Sequence, residues 1–379
     1  MVRTGRFLIV AWAAGGNVVP AAGLARVLRG RGHDVRVLGP EGLRARFEET
    51  GGVFRAFQRA REPGRMETDV FDDNPLGWTR FISGTRLAED VASELGREPA
   101  DVVVFDAFLS AALAAAEQAR VPAAALVHVL YQPCVEGDSA TTWDPTRPLL
   151  DETRRRLGLA PLDPAVPVIS ALWDHARLVL ACVPEAFDFP LASRPARLRY
   201  VGPIFEPATS HWRPGQRPLV VVSFSSTNMR QGPVLQRVLD ALAPLEVEVL
   251  CTLGGVPVGE LRPPANATVR DYVPHMSVLP AAALVVTHAG LSTVMAALAN
   301  GVPLVCMPMG RDQPLNAERV AALGLGCVLS SEAPEAAIRT AVEEELGRRG
   351  FRDEARAFAG LIAGCGNGSR AALELESLL

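Results

Sequence analysis

The stretch that decides the fold, residues 287–326, reads THAGLSTVMAALANGVPLVCMPMGRDQPLNAERVAALGLG. The apolar residues 284–287 lead into it and predict a buried parallel strand, because strands covered on both faces form continuous apolar runs. The run ends at His288 and Ala289, and a helical pattern begins near Leu291. A strand that turns through glycine into a helix predicts an anion site, since the first helical turn leaves N–H groups unpaired and the helix dipole adds positive potential.

The side chains around this turn indicate what the anion is attached to. Groups suited to phosphate stand at the strand end and the helix start: His288, Gly290, Ser292 and Thr293. A second predicted strand, 303–307, is followed by Asp312 and Gln313 at the start of another helix. A carboxylate and an amide suit sugar hydroxyls better than phosphate. A phosphate site followed by a hydroxyl site predicts a nucleotide sugar as ligand.

The composition is that of a two-domain globular protein. A chain of 379 residues is too long for one hydrophobic core, and 49% hydrophobic with 21% charged residues is typical of compact α/β proteins. The formal net charge of −4 and the absence of a basic stripe argue against a nucleic-acid partner. Six cysteines are scattered without metal-ligand spacing, so we expect reduced thiols in apolar surroundings.

The N-terminus resembles a short signal peptide, with Arg3 and Arg6 before the apolar residues 7–14. The apolar run is brief, however, and leads through Gly16 and Asn17 into an amphipathic helix, so we interpret it as the first buried strand. No segment reaches the roughly 18 apolar residues that a membrane span requires. The sequence therefore predicts a cytoplasmic protein without a membrane span.

Strand and helix signals alternate through both halves, which predicts an α/β protein with two Rossmann-like, doubly wound parallel sheets facing a central cleft. The predicted strands are 7–11, 34–38, 53–57, 102–105, 123–128, 178–183, 198–201, 219–224, 247–252, 268–272, 284–287 and 303–307. A proline-rich linker, 205–217, separates domain 1–204 from domain 218–364, and residues 365–379 form a last helix that we expect to pack back on the first domain. Two long segments without periodicity, 61–78 and 131–148, are predicted to be site-forming loops.

At this point the motifs resemble a known family. Residues 288–298 are similar to the signature HGGxGTxxEAL, and residues 301–317 to GxPxxxxPxxxDQxxNA, of the inverting GT-B nucleotide-sugar glycosyltransferases. Residues 271–275 resemble that superfamily's WxPQ-type turn, and residues 16–35 its GHxxP…GHxV opening. The likeness covers nearly the whole chain and is strongest to the UDP-glycosyltransferase-like enzymes of actinobacterial antibiotic and natural-product pathways.

The resemblance implies an activity and a set of site residues. It implies transfer of a sugar with inversion, a deoxysugar from TDP or a sugar from UDP, onto an aromatic or polyketide-type acceptor through an O- or C-glycosidic bond. The first domain would bind the acceptor and the second the donor, with no metal ion or other cofactor. The donor-binding residues would be Ser225, Ser226, Thr227, Tyr272, Val273, His275, His288, Gly290, Ser292, Thr293, Asp312 and Gln313.

The catalytic base is where this sequence departs from the family. Many members carry a histidine three residues before the loop proline, paired with an acid that corresponds to Asp106, but this chain has Asn17. A carboxamide cannot take a proton at neutral pH. Three readings stay open: a base from the acceptor loop, an acceptor acidic enough to need little help, or a catalytically silent member. The loop candidates are Glu136, Asp138 and Asp144, with His128 nearby in sequence; we name Asn17, Asp106 and Asp138 as catalytic candidates.

Two other functions remain open at the level of sequence. Asn17 is compatible with a catalytically weak auxiliary protein that binds a sugar nucleotide without turnover. An epimerase or hydrolase acting on nucleotide sugars has the same fold, although such enzymes usually need several carboxylates around the donor, and only Asp312 is visible here. A homodimer is possible.

Overall fold

A computed structural model describes residues 3–13, 15–63, 75–208, 211–213, 215–227, 229–257, 259–347 and 349–379. The described residues form two compact α/β units. The first contains those of 3–63, 75–204 and 365–379, and the second those of 205–364. No helix in these ranges is long and apolar enough to cross a membrane.

The first unit is built on a parallel sheet with the strand order β3-β2-β1-β4-β5-β6-β7. The strands are β1 (Arg6–Val10), β2 (Asp34–Gly39), β3 (Val53–Ala56), β4 (Val102–Asp106), β5 (Ala123–Val127), β6 (Leu178–Ala181) and β7 (Leu198–Tyr200). The helices described in this unit are Val18–Gly30, Arg44–Glu48, Pro75–Ser83, Thr85–Arg97, Ser110–Gln118, Gln132–Val135, Arg147–Arg156, Val168–Asp174 and Ser369–Glu376. Strands β4, β5 and β6 are buried along their whole length, as apolar strands covered by helices on both faces should be.

The second unit repeats this plan with the strand order β10-β9-β8-β11-β12-β13. Its strands, all in parallel pairs, are β8 (Leu219–Ser223), β9 (Glu248–Thr252), β10 (Ala267–Arg270), β11 (Ala282–Thr287), β12 (Leu304–Cys306) and β13 (Gly326–Val328). The helices described here are Gly232–Leu242, His275–Val278, Leu291–Ala299, Gln313–Ala322, Glu335–Gly347 and Arg349–Ala363. The prediction of two doubly wound parallel α/β units is confirmed.

Both sheets reverse their strand order at one place, between β1 and β4 in the first and between β8 and β11 in the second. The loops at the carboxyl ends of such neighbouring strands run to opposite sides and leave a crevice that binds ligands in open α/β sheets. We therefore expect the functional residues to follow β1 and β4 in the first unit and β8 and β11 in the second.

The last helix, Ser369–Glu376, belongs to the core of the first unit. Its Ala371, Ala372 and Leu375 lie in one buried cluster with residues of β1 and of the helix Val18–Gly30. Glu376 accepts hydrogen bonds from Arg31 at 2.6 and 2.7 Å and lies 2.8 Å from His33 Nε2, which fixes the end of this helix against the loop before β2.

Two sequence predictions need correction. Residues 61–78 were expected to be irregular, but a helix, Pro75–Ser83, begins inside that range, and Trp78 packs against Trp12 with ring centroids 5.2 Å apart; residues 64–74 lie outside the described residues. The segment 131–148 contains the short helix Gln132–Val135 and two 3₁₀ turns. Strand β13 was not predicted, because three residues beginning with glycine carry no periodicity.

Candidate active site

Hydroxyl side chains line the carboxyl edge of the second sheet at its reversal point. Ser223 ends β8 and is in register with Thr252 of β9 on one side and Thr287 of β11 on the other. All three residues are buried, and Thr252 Oγ1 donates to Ser223 Oγ at 3.0 Å. The loop from Ser225 to Thr227 and the turn at His288 leave the sheet directly above this row.

The turn after β11 is shaped by its backbone. Ala289 adopts the left-handed conformation with φ 66°, and its amide donates to Thr287 Oγ1 at 3.3 Å. A Cβ on Gly290 would lie 2.6 Å from His288 Nε2, so the absence of a side chain there lets the imidazole lie against the backbone. The helix Leu291–Ala299 starts at the next residue. Its first turn includes half-buried Ser292 and buried Thr293.

His288 is neutral at physiological pH. Its side chain is buried and stacks on Phe224, with the ring centroids 6.0 Å apart. Burial lowers the pKa of His288 to about 3, and the charge of Arg311 acts in the same direction, while a hydrogen bond to the Ser223 backbone opposes it. A neutral imidazole at a helix N-terminus can donate one N–H to an anion without adding a charge that would repel the helix dipole.

Acidification from pH 7.5 to pH 5 is expected to destabilise the protein through His288. The folded pKa, about 3, lies below the ordinary 6.5, so the unfolded chain binds the proton first and stability falls as the pH drops below 6.5. At pH 5 this amounts to about 2 kcal/mol for one such side chain. Thermal unfolding of wild type and His288→Gln at both pH values measures the effect. The glutamine variant should lose less Tm on acidification, and equal losses would contradict the assignment.

The loop after β8 is held by hydrogen bonds from both sides. Ser225 Oγ and Thr227 Oγ1 lie 2.8 Å apart, and the Thr227 amide donates to Ser225 Oγ at 3.1 Å. Gln231, which is fully buried, donates through Nε2 to the carbonyls of Ser225 and Gly254 at 2.7 and 2.8 Å. Ser226 at the centre of the loop is exposed. The conformation thus presents a serine and neighbouring backbone atoms to solvent.

Asp312 and Gln313 differ in what they can offer a ligand. The side-chain oxygen Oε1 of Gln313 accepts from the backbone amides of Met309 and Gly310 at 2.9 and 3.2 Å. The side-chain nitrogen Nε2 lies 3.2 Å from the Met229 sulfur. A sugar contact by Gln313 would therefore have to come from Nε2, which here faces a weak acceptor. One carboxylate oxygen of half-buried Asp312 accepts from Asn316 at 2.8 Å. The other oxygen of Asp312 is the better hydroxyl acceptor.

The turn at residues 271–275, predicted to frame the nucleobase, contacts the sheet edge through some of its residues only. Tyr272 is 67% exposed, and Val273 is half-buried. His275 Nε2 lies 3.0 Å from Ser223 Oγ, which joins this turn to the hydroxyl row. Burial lowers the pKa of His275 as well, so it too is neutral at pH 7.

The reversal point of the first sheet gathers the catalytic candidates. Asn17, 2% exposed, donates through Nδ2 to the Trp12 carbonyl at 3.0 Å and to Asp106 Oδ2 at 3.1 Å. Asp106 ends β4, and its Oδ1 accepts from the Phe108 amide at 3.2 Å. His128, just beyond β5, places Nδ1 3.1 Å from Asp106 Oδ2. Burial alone would raise the pKa of Asp106, but His128, Phe108 and Asn17 together hold it below its ordinary value.

The acceptor-loop carboxylates are used to hold backbone. Glu136 accepts from Gln132 Nε2 at 3.2 Å and from the Ala192 amide. Asp144 Oδ1 accepts from the Val168 amide at 2.7 Å, at the start of the helix Val168–Asp174. The side chain of Asp138 lies outside the part that the structure describes. The hydrogen bonds of Glu136 and Asp144 stabilise the backbone, and they would be lost if either side chain moved to take a proton.

An aromatic surface adjoins His128. Phe108 and Trp143 are stacked with ring centroids 4.4 Å apart, and the Phe108 ring meets the His128 imidazole edge-on at 5.6 Å. Trp143 comes from the segment 131–148 and is half-buried. Phe108 is itself buried, so Trp143 is the more accessible ring for a flat aromatic molecule.

Three residues were missed or undervalued by sequence reasoning. Arg311 donates to Thr227 Oγ1 at 2.9 Å and so joins the loop after β12 to the loop after β8. Asn316, to which the sequence motif assigned no role of its own, is fully buried and donates to the Ala289 carbonyl at 3.0 Å as well as to Asp312. His128 was noted only for its nearness in sequence to the loop. The sequence signal for Arg311 was its position immediately before Asp312.

Comparison with known proteins agrees with this geometry. Residues 236–364 match the family model described as erythromycin biosynthesis protein CIII-like, C-terminal domain. Demethyllactenocin mycarosyltransferase of Streptomyces fradiae is 30% identical over 338 residues, which cover 83% of this chain and 73% of that protein. For 4'-demethylrebeccamycin synthase of Lentzea aerocolonigenes the identity is 29% over 92% of this chain and 93% of that protein. The crystal structure of CalG4, the calicheamicin glycosyltransferase, superposes with a TM-score of 0.81 at 25% identity, covering 100% of this chain and 98% of that chain.

Proposed function

Since the chain belongs to the antibiotic and natural-product glycosyltransferases of GT-B fold, we propose that it moves a sugar from a thymidine diphosphate (TDP) or uridine diphosphate (UDP) donor onto an aromatic or polyketide-type acceptor. We favour a deoxysugar carried by TDP, and inversion at the anomeric carbon.

The diphosphate part rests on the group of donors above the second sheet, and this observation carries the proposal. These donors lie just after the neighbouring strands β8 and β11. They are the neutral His288 imidazole, the first amides of the helix Leu291–Ala299, and the Ser225 and Thr227 hydroxyls. Arg311 adds the positive charge that the neutral donors lack. Preorganised donors of this kind stabilise the charge that builds on a departing diphosphate. They do so without a metal ion, and we propose a metal-independent reaction.

The sugar part rests on Asp312. Asn316 holds one of its oxygens at 2.8 Å and also holds the Ala289 carbonyl, so the sugar-binding acid and the phosphate-binding turn are fixed to each other. The remaining carboxylate oxygen can accept hydrogen bonds from sugar hydroxyls. Asn316 is therefore a positioning residue for both halves of the donor.

The acceptor part rests on half-buried Trp143, which stacks on Phe108 beside His128. Aromatic pairs favour a further flat ring by offset stacking and edge-to-face contact. The acceptor oxygen or carbon would attack the anomeric carbon while the bond to the diphosphate oxygen breaks, and the configuration inverts because a single displacement occurs.

Acceptor-dependent release of TDP tests the proposal. The full chain is incubated with TDP-glucose or UDP-glucose, alone and with a panel of phenols and polyketide aromatics, and free nucleotide and glycoside are measured. Release only with an acceptor, and a product of inverted anomeric configuration by NMR, are the expected results. Release without an acceptor would instead indicate a hydrolase, and nucleotide binding without any turnover an auxiliary protein.

The contribution of Arg311 can be tested separately. Arg311→Ala is expected to weaken TDP binding about 10- to 150-fold, because a charge-assisted hydrogen bond to phosphate contributes about 1.5–3 kcal/mol. Arg262→Ala, which removes an exposed arginine from another loop of the same unit, is the matched control and should leave the affinity unchanged. Calorimetric titration with TDP measures both variants; equal affinities in the two would exclude Arg311 from the site.

A further inference from the structure

The first unit contains a histidine–carboxylate pair at a position other than the one usual in the family. Asp106 pairs with Leu126 in the register of β4 and β5, and His128 follows two residues later, so the two side chains meet at adjacent strand ends. We propose that His128 is the catalytic base that deprotonates the acceptor, with Asp106 as its partner and Asn17 as a positioning residue. The proposal rests on the proposed function, since it assigns the proton of that same transfer.

The tautomer of His128 follows from its partner. An ionised carboxylate attracts an N–H and repels a nitrogen lone pair, so with Asp106 Oδ2 3.1 Å from Nδ1 we place the hydrogen of His128 on Nδ1. The lone pair is then on Nε2. The Nδ1 atom is fully buried, whereas the His128 side chain as a whole is 15% exposed. The accessible fraction therefore belongs to the remainder of the side chain.

Asn17 explains why the base is at position 128. Both partners of its Nδ2, the Trp12 carbonyl and Asp106 Oδ2, are acceptors, so the orientation of the amide is fixed. Asn17 thus orients the carboxylate from the side where related enzymes place a histidine. Its Oδ1 is buried and has no hydrogen-bond partner among the described residues.

The step balances as an acid–base displacement. The acceptor O–H proton passes to His128 Nε2, and the oxygen lone pair forms the new bond to the anomeric carbon. The bond from that carbon to the diphosphate oxygen breaks, and its electron pair leaves with the nucleotide. Asp106 stabilises the imidazolium formed at His128, which returns its proton to solvent after the product departs.

Two acceptors of different acidity separate a base from a merely structural residue. With TDP-glucose as donor, His128→Asn should lose about 10²–10⁴ in kcat/KM with phenol, which keeps its proton at neutral pH. With 2-chloro-4-nitrophenol, already ionised at neutral pH, the loss should be only a few-fold. Equal losses with both acceptors, or none with phenol, would overturn the proposal. His175→Asn is the matched control, because His175 also faces a carboxylate, Glu117 at 3.3 Å, rather than Asp106.

Two further measurements keep the base assignment separate from the proposed function. The TDP affinity of His128→Asn should equal that of wild type, whereas failure of wild type to bind TDP or to turn over any acceptor would count against the proposed function instead. Nitrogen-15 NMR, with the His128 signal assigned by its loss in His128→Asn, reports the tautomer without any substrate. We expect hydrogen on Nδ1 in wild type and a changed spectrum in Asp106→Asn; hydrogen on Nε2 in neutral wild type would overturn the proposal.

Discussion

Replacement of His288 by alanine is expected to lower kcat/KM for sugar transfer by about 10²–10³ and to weaken TDP binding, because the variant loses one preorganised donor to the diphosphate. The imidazole is held in place by two features: the Phe224 ring and the bare backbone of Gly290. Steady-state kinetics and calorimetric titration with TDP measure the two effects.

The choice of variants shows which property of His288 matters. Because its pKa is about 3, the donor is a neutral N–H, so His288→Gln should retain part of the activity and the TDP affinity of wild type should change little between pH 6 and pH 8. His175→Ala, in the other unit, controls for the loss of a histidine elsewhere. Kinetics of His288→Ala that match wild type would remove His288 from the diphosphate site.

Asp106→Asn is expected to lower kcat/KM by about 10²–10⁴ while the TDP affinity stays at the wild-type value. The carboxylate accepts from Asn17 and Phe108, and its Oδ2 lies 3.1 Å from His128 Nδ1. An asparagine keeps the size of the side chain but replaces one acceptor oxygen with an NH₂ group. Facing that group, the neutral His128 ring would accept on Nδ1 and bear its hydrogen on Nε2, so the lone pair for the acceptor proton would be lost.

The matched control for Asp106→Asn is Asp90→Asn. Asp90 is also buried and accepts from the backbone amides of Gln58, Arg59 and Ala60, so its replacement costs stability in the same unit. We expect Asp90→Asn to lower Tm without a specific loss of turnover at a temperature where it is folded. If both variants lost activity only in proportion to their Tm, the role of Asp106 would be structural.

The parallel architecture and the donor motif were accessible from sequence for a physical reason. Fully buried strands such as β4 and β5 are apolar along their whole length, and their alternation with helices permits few topologies. The donor residues from His288 to Gln313 lie in one continuous stretch, so their order along the chain already groups them. Strand β13 has only three residues and begins with glycine, so it has no continuous apolar run that would predict a strand.

The contacts that sequence reasoning could not supply depend on loop geometry and on distant pairing. Gln313 folds back onto the amides of Met309 and Gly310, which depends on the shape of a loop whose Gly310 has φ 151°. The meeting of His128 with Asp106 depends on the register between two strands. Polar residues in helices usually face solvent, and only the approach of the Ala289 carbonyl shows why the Asn316 amide is buried.

The place of the helix Ser369–Glu376 in the first core has a consequence for how the chain folds during synthesis. Ala371, Ala372 and Leu375 share a buried cluster with Phe7 and Leu24, yet the ribosome adds them after residues 205–364 have been made. Domains are usually completed in the order of translation. Here the second unit can close its core while the first still exposes the apolar face that this helix will cover, so the first part made is the last to be finished, and chaperones would meet that open face on the nascent chain.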